Sequence, residues 1–221
     1  MTEAPRRPPA ARLHGLHVLA DDDPRWGGDP VAQARAACAG GAAVVQLRAK
    51  FAPDRETLGW AEELRELTRR AGVLFVVNDR FDLALAAQAD GVHLGQEDLP
   101  PQRIPPHLRE RLIVGRSTHT LPEARAACAE PVDYIAFGPV FGTASKRSPH
   151  AARGLELLRE AALAVAPLPL VAIGGICVGN AALAIAAGAA AVAVISAVAG
   201  AEDPEAATRA LVRALSGTGR S

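Results

Sequence analysis

A chain of 221 residues in which 49% are apolar can bury the core of one domain of the larger kind. Its 24 Lys and Arg balance 24 Asp and Glu, so no global field draws it to nucleic acid or to an anionic membrane, and any anion site has to be local. The three cysteines, Cys38, Cys128 and Cys177, form no C-x-x-C pair, which points away from a zinc site or a disulfide framework and toward thiols in a reducing cytoplasm.

Residues 1–12 are rich in arginine and proline and contain no apolar segment, so they read as a disordered lead-in rather than a signal peptide. From 13 to 216 strands and helices alternate. Leu16–Ala20 reads as a strand, Pro30–Ala39 as a helix and Ala43–Leu47 as a strand. Asp54–Arg70 reads as an amphipathic helix with Leu58, Ala61, Leu64 and Leu67 on its buried face. Strand Leu74–Val77, helix Leu83–Gln88 and strand Val92–Leu94 follow. A helical turn after Pro101 leads to strand Ile113–Gly115, helix Leu121–Ala129 and strand Tyr134–Phe137. Helix Gly154–Val165, strand Leu170–Ile173, helix Asn180–Ala187, strand Val192–Ile195 and helix Pro204–Leu215 complete the alternation, and residues 217–221 form a frayed tail. Ala181–Ala199 is uncharged and long enough to span a bilayer. Its alanine content, Gly188, the alternation of Val192 and Val194 and the flanking Glu202 and Asp203 instead fit a helix followed by a buried strand.

Eight strand–helix units repeating about every 25 residues, with strands apolar on both faces, predict a single-domain (β/α)₈ TIM barrel. An open doubly wound sheet would more often carry a glycine-rich first turn, and the turn here is Ala20-Asp21-Asp22-Asp23.

In such a barrel the chemistry belongs to the loops that follow the strands. After strand two, Gln46, Arg48 and Lys50 alternate and so share one side, which suits an anion or a polar heterocycle. Asn78 and Asp79 follow strand three and Asp98 follows strand four. As parallel neighbours these strands bring Asp79 and Asp98 to one mouth, where two carboxylates can hold Mg²⁺; the alternative is that each merely caps the next helix. After strand five, His119 stands two residues past Ser117 and is either an acid–base group or a hydrogen-bonded structural histidine. After strand six comes a long polar loop with Thr143, Ser145 and Lys146. Gly174-Gly175 and Ile195-Ser196, after strands seven and eight, lie where barrels often bind phosphate. Two anion sites result: an acidic and basic one suited to Mg²⁺ with a diphosphate, and a neutral backbone cup suited to a phosphomonoester.

The motifs VVQLRAK, VVNDR, ADGVHLGQEDLP, STHTL, YIAFGPVF, VAIGGI and AVISA followed by AEDP, in that order, resemble the thiamine-phosphate synthase family from about Leu16 to Leu215. The resemblance implies a (β/α)₈ barrel. It implies coupling of 4-amino-2-methyl-5-hydroxymethylpyrimidine diphosphate to 4-methyl-5-hydroxyethylthiazole phosphate with release of pyrophosphate. It further implies that Gln46, Arg48, Lys50 and Asn78 hold the pyrimidine diphosphate and that Asp79 and Asp98 ligate Mg²⁺. Ser117 would contact the pyrimidine, Lys146 the diphosphate, and Thr143, Ser145, Gly175, Ile195 and Ser196 the thiazole phosphate. Arg48, Lys50 and Lys146 would stabilise the departing pyrophosphate. The partners are then two small phosphorylated molecules, with no nucleic acid and no membrane; a homo-oligomer stays open. The chain departs from the pattern at Gly142, at Arg116 and in the acidic run Asp21–Asp23. Two rivals share the barrel: a thiazole tautomerase, with His119 as its acid–base residue and Arg116 leaning that way, and a non-catalytic phosphate-binding paralogue.

Overall fold

A computed structural model of the chain describes residues 10–142 and 151–217. The expected lead-in before Ala10 and the tail after Gly217 lie outside the described residues, as do Thr143, Ser145 and Lys146.

Eight parallel strands pair in sequence order, and β1 pairs with β8, so the sheet closes into a barrel. The elements run β1 (Gly15–Asp21), α1 (Pro30–Gly40), β2 (Val44–Arg48), α2 (Asp54–Ala71), β3 (Leu74–Asn78), α3 (Phe81–Ala86), β4 (Gly91–Leu94), α4 (Pro106–Arg109) and β5 (Ile113–Thr118). They continue α5 (Leu121–Ala127), β6 (Tyr134–Phe137), α6 (Gly154–Val165), β7 (Leu170–Ile173), α7 (Ala181–Ala186), β8 (Ala191–Val194), α8 (Ser196–Ala199) and α9 (Pro204–Ser216). This is the (β/α)₈ architecture the alternation predicts.

Period-two alternation sorts each strand between two cores. Val18, Val45, Phe75, Val92 and Ile135 pack outward with helix residues such as Ala34, Ala61 and Leu64. Leu19, Val44, Val76, Ile113, Tyr134 and Val171 pack together inside the barrel. Both sets are apolar because helices cover the outside and side chains fill the inside.

Three details depart from the sequence reading. Residues Ala10–Leu13 form a 3₁₀ turn, and Leu13, fully buried, joins the interior cluster. The buried His17 ring donates from Nε2 to the Leu13 carbonyl at 2.7 Å, pinning that turn to β1. Helix α2 buries Thr57 and Thr68 with Ala61 and Leu64, while Leu58 and Leu67 are only half-buried. The two threonines can be buried because their hydroxyls donate back to the carbonyls of Pro53 and Leu64, at 3.2 and 2.8 Å, leaving no polar group unpaired. Strand β5 runs on to Thr118, so Arg116 and Ser117 are strand residues with opposite facings rather than loop residues.

Candidate active site

The inward-facing positions turn polar toward the carboxyl ends of the strands. Asp21 and Arg48 are register partners on β1 and β2, and Arg48 Nη1 donates to Asp21 Oδ2 at 2.7 Å. The Asp21 side chain is fully buried and that of Arg48 only 13% exposed, so the guanidinium is aimed before any ligand arrives. Asp22 accepts hydrogen bonds from the backbone N–H groups of Lys50, Phe51 and Ala52, each at 2.8 Å, and so fixes the loop that carries Lys50. Asp23 accepts from the backbone N–H and the guanidinium of Arg25. Asp21 and Asp22 therefore frame Arg48 and the loop that carries Lys50. Gln46, buried, and Asn78, half-buried, fall on the same inward-facing row of β2 and β3.

Asp79 has φ +67°, a left-handed conformation that Asp tolerates better than most residues. Its N–H donates to the His93 carbonyl at 2.7 Å, tying it to β4. The Asp79 carboxylate accepts from the Lys50 ammonium and shares a hydrogen bond with Asp98. Asp98 also accepts from the Gly95 N–H at 2.6 Å. Neither carboxylate caps a helix: Arg80 is the N-cap of α3 and Pro100 that of the 3₁₀ turn at Pro101–Arg103, each without a side-chain cap. Burial alone would raise the Asp79 pKa, but the hydrogen bonds from Asp98 and Lys50 outweigh it and hold the carboxyl below its usual range. Burial, and then the hydrogen bond to Asp79, push Asp98 up. The two carboxyls are thus pushed in opposite directions by one another.

The pair fits a hard divalent cation. Two neighbouring carboxylates repel one another when both are ionised, and a cation between them would offset that repulsion. Among the described residues no cluster of three or more His, Cys, Asp or Glu is placed to hold a metal. Two carboxylates leave most of an octahedral shell to water and to phosphate oxygens, as Mg²⁺ prefers.

The opposite side of the mouth is a cavity with about 600 Å³ of empty space, counted out to its open mouth. Ser117, His119, Gly175, Ile195 and Ser196 line it. Gly175 has φ +67°, and a Cβ there would lie 2.4 Å from the Gly142 carbonyl oxygen and 2.8 Å from Phe141 Cβ. Its missing side chain therefore makes room for the loop after β6 as well as for a ligand. Asn180 braces the loop after β7, donating to the Gly175 carbonyl at 2.9 Å and accepting from the Cys177 N–H at 2.8 Å. Ser196 opens the short helix α8, which the sequence reading did not anticipate. His119 Nδ1 lies 2.7 Å from the Gly138 carbonyl, so that nitrogen carries the proton and the ring is a wall of the cavity held to the β6 loop.

Between the two sides runs a buried thread that sequence reasoning missed. The Tyr134 hydroxyl lies 2.9 Å from His93 Nδ1, and His93 Nε2 lies 2.8 Å from Ser117 Oγ. The two rings stack at 5.4 Å. Gly115 makes this possible, since a Cβ there would stand 2.2 Å from Tyr134 Cζ. The available signal was a lone histidine inside the apolar β4 run. Arg116, by contrast, points away from the mouth, its Nε 3.0 Å from Glu130 Oε2 outside the barrel wall.

A sequence profile described as thiamine monophosphate synthase matches residues 16–198. A thiamine-phosphate synthase of Anaeromyxobacter dehalogenans is 52% identical over 198 residues, covering 89% of this chain and 86% of its own. One from Methanoculleus marisnigri is 48% identical, over 90% of this chain and 93% of its own. The solved structure of a thiamine phosphate pyrophosphorylase from Pyrococcus furiosus superposes with a TM-score of 0.85 at 38% identity, covering 96% of this chain and 99% of that one.

Proposed function

The chain belongs to the thiamine monophosphate synthase family, and from that premise we propose how its barrel mouth couples a pyrimidine diphosphate to a thiazole phosphate, releasing pyrophosphate. The observation that carries the reading is the convergence of Asp79 and Asp98 beside Lys50, across the mouth from a neutral cavity. A bare anion gains nothing from two carboxylates, whereas a cation with a diphosphate satisfies both carboxylates and lysine.

In this reading Asp79 and Asp98 hold Mg²⁺, with Gln46, Arg48, Lys50 and Asn78 around the diphosphate; Lys146 joins them on the family pattern alone. The bound cation supplies charge neutralisation for the leaving pyrophosphate. Ser117, aimed by His93 and Tyr134, contacts the pyrimidine. Gly175, Ile195 and Ser196 take the thiazole phosphate on backbone groups and the first turn of α8, with Thr143 and Ser145 added by the family pattern. The C–O bond at the pyrimidine methylene breaks, and its electron pair leaves with the pyrophosphate. The thiazole nitrogen lone pair forms the new C–N bond. No proton has to move, so no protein base is needed. Arg48 and Lys50 do most when negative charge is greatest, at departure, and so stabilise the transition state over the ground state.

The test is turnover by purified protein with Mg²⁺. Pyrophosphate appears only when both substrates are present. Isomerised thiazole without pyrophosphate would instead mark a tautomerase, and binding without turnover a phosphate-binding relic. No helix among the described residues is long and apolar enough to cross a membrane.

A further inference from the structure

We propose that Arg116 is a positioning residue for Asp98, acting through Gly95; this rests on the reading that Asp79 and Asp98 hold a divalent cation. Arg116 sits on β5 in register with Leu94, the last residue of β4. Its side chain is 7% exposed and has two attachments. Nη1 donates to the Gly95 carbonyl, and Nε lies 3.0 Å from Glu130 Oε2, off the line of a hydrogen bond, so charge rather than geometry holds that end.

The same Gly95 donates its N–H to Asp98 Oδ2 at 2.6 Å. One glycine is therefore gripped from both ends, its amide by the metal carboxylate and its carbonyl by a buried cation. Glycine is the residue least able to hold a turn by its own backbone preference, so the turn's conformation comes from these attachments. Gln96 Nε2 adds a bond to the Ser117 carbonyl on the same strand. Strand β5 thus serves as the rail against which the turn after β4 is set, and Asp98 faces Asp79 because Arg116 fixes where Gly95 stands. A buried ion pair is weak evidence for stability, since an apolar pair of similar volume usually does as well. The Arg116–Glu130 pair has a use beyond packing if it aims a ligand.

The experiment is calorimetric titration of Mn²⁺ into the full chain with inorganic pyrophosphate present, for wild type, Arg116→Met, Arg116→Lys and Asp98→Asn. Arg116→Met should weaken Mn²⁺ about tenfold, the scale of losing a group that orients a ligand. Metal-free pyrophosphate binding, which uses Arg48 and Lys50, should stay unchanged, and Arg116→Lys should recover part of the loss by donating to Gly95. A merely structural role would lower the melting temperature and leave the Mn²⁺ affinity of the folded protein alone. Should the stranded Glu130 prevent folding, the Arg116→Met, Glu130→Met double variant removes both buried charges and gives the same readout. Unchanged Mn²⁺ affinity in the folded variant, alongside loss in Asp98→Asn, overturns the positioning role only. Unchanged affinity in Asp98→Asn overturns the metal reading and the proposal with it.

Discussion

On the β1–β4 side of the mouth, Arg48, Lys50, Asp79 and Asp98 are held by charge: Asp21 on the guanidinium, Asp22 under the lysine loop, and the two carboxylates on each other. On the β6–β8 side the loops are fitted by contact. Gly174 and Gly175 leave space for Pro139, Phe141 and Gly142, and Asn180 ties the turn with two hydrogen bonds. The difference matches what each side is proposed to bind. A metal diphosphate carries large opposite charges that must be matched by side chains at fixed spacing. A phosphomonoester on a backbone cup needs shape and N–H direction. The charged side should therefore fail through lost chemistry and the neutral side through lost fit.

The largest expected effect is on the charged side. Asp98→Asn keeps the shape and can still hydrogen-bond to Asp79, but loses one ligand charge. It should lower kcat/KM about 100- to 1,000-fold, the range for a metal or oxyanion contact, with little change in melting temperature. Steady-state turnover across a Mg²⁺ series checks this. A loss of less than about threefold would remove the metal from the comparison.

Gly175→Ala sharpens the other side. At φ +67° the new Cβ would be strained and would meet the Gly142 oxygen at 2.4 Å. A cost of about 1–3 kcal/mol in that loop should appear as a roughly 10- to 100-fold rise in KM for the thiazole phosphate. The KM for the diphosphate should hold. If both rise together, the two sides are mechanically one.

The architecture was legible because each unit obeys its period, and candidate site positions stand out wherever a polar residue interrupts an apolar strand at its carboxyl end, as Gln46 and Asn78 do. What stayed hidden depends on partners far apart in sequence. Nothing near Asp21 predicts that it meets Arg48, since the ion pair exists only once β1 and β2 are in register. His93 and Tyr134 are ordinary strand residues until Gly115 lets their rings meet. Gly175 stands where a barrel often binds phosphate, yet the nearest atoms to a Cβ there belong to another loop. Arg116 lies just past the expected end of strand Ile113–Gly115, yet β5 runs on through it and turns its side chain outward.

Beneath both sides lies a shared floor, where the contrast should vanish. Burial pushes the pKa of His17 down to about 4, against 6.5 for a free ring, with the Leu13 carbonyl pulling it partly back. Between these values the unfolded chain takes up a proton that the folded chain refuses, so stability is complete above pH 6.5 and falls as the pH drops toward 4. Between pH 7 and 5 wild type should lose about 2 kcal/mol more than His17→Gln, which keeps a donor for Leu13 and does not titrate. Urea unfolding at the two pH values measures it, and equal losses would show that His17 does not carry a buried neutral ring. Because His17 meets Tyr134 edge-on at 6.1 Å, the loss should reach both sides of the mouth together.

The smallest effect tests where the charged side stops. Arg80 follows Asp79 directly, within the VVNDR motif, yet its guanidinium turns outward, 2.6 Å from Asp54 Oδ1 and 2.7 Å from Asp82 Oδ2. Those carboxylates, hydrogen-bonded to it, raise its pKa. Arg80 is therefore committed to two exposed partners, while Arg48 is held by one buried partner on the inward-facing row of β2. Exposed pairs contribute little even when their geometry is good. Arg80→Ala should leave the KM for the diphosphate within about twofold, whereas Arg48→Ala should raise it far more. A tenfold rise in Arg80→Ala would mean that the diphosphate draws Arg80 off its two carboxylates, and the charged side would then extend past the rim onto α3.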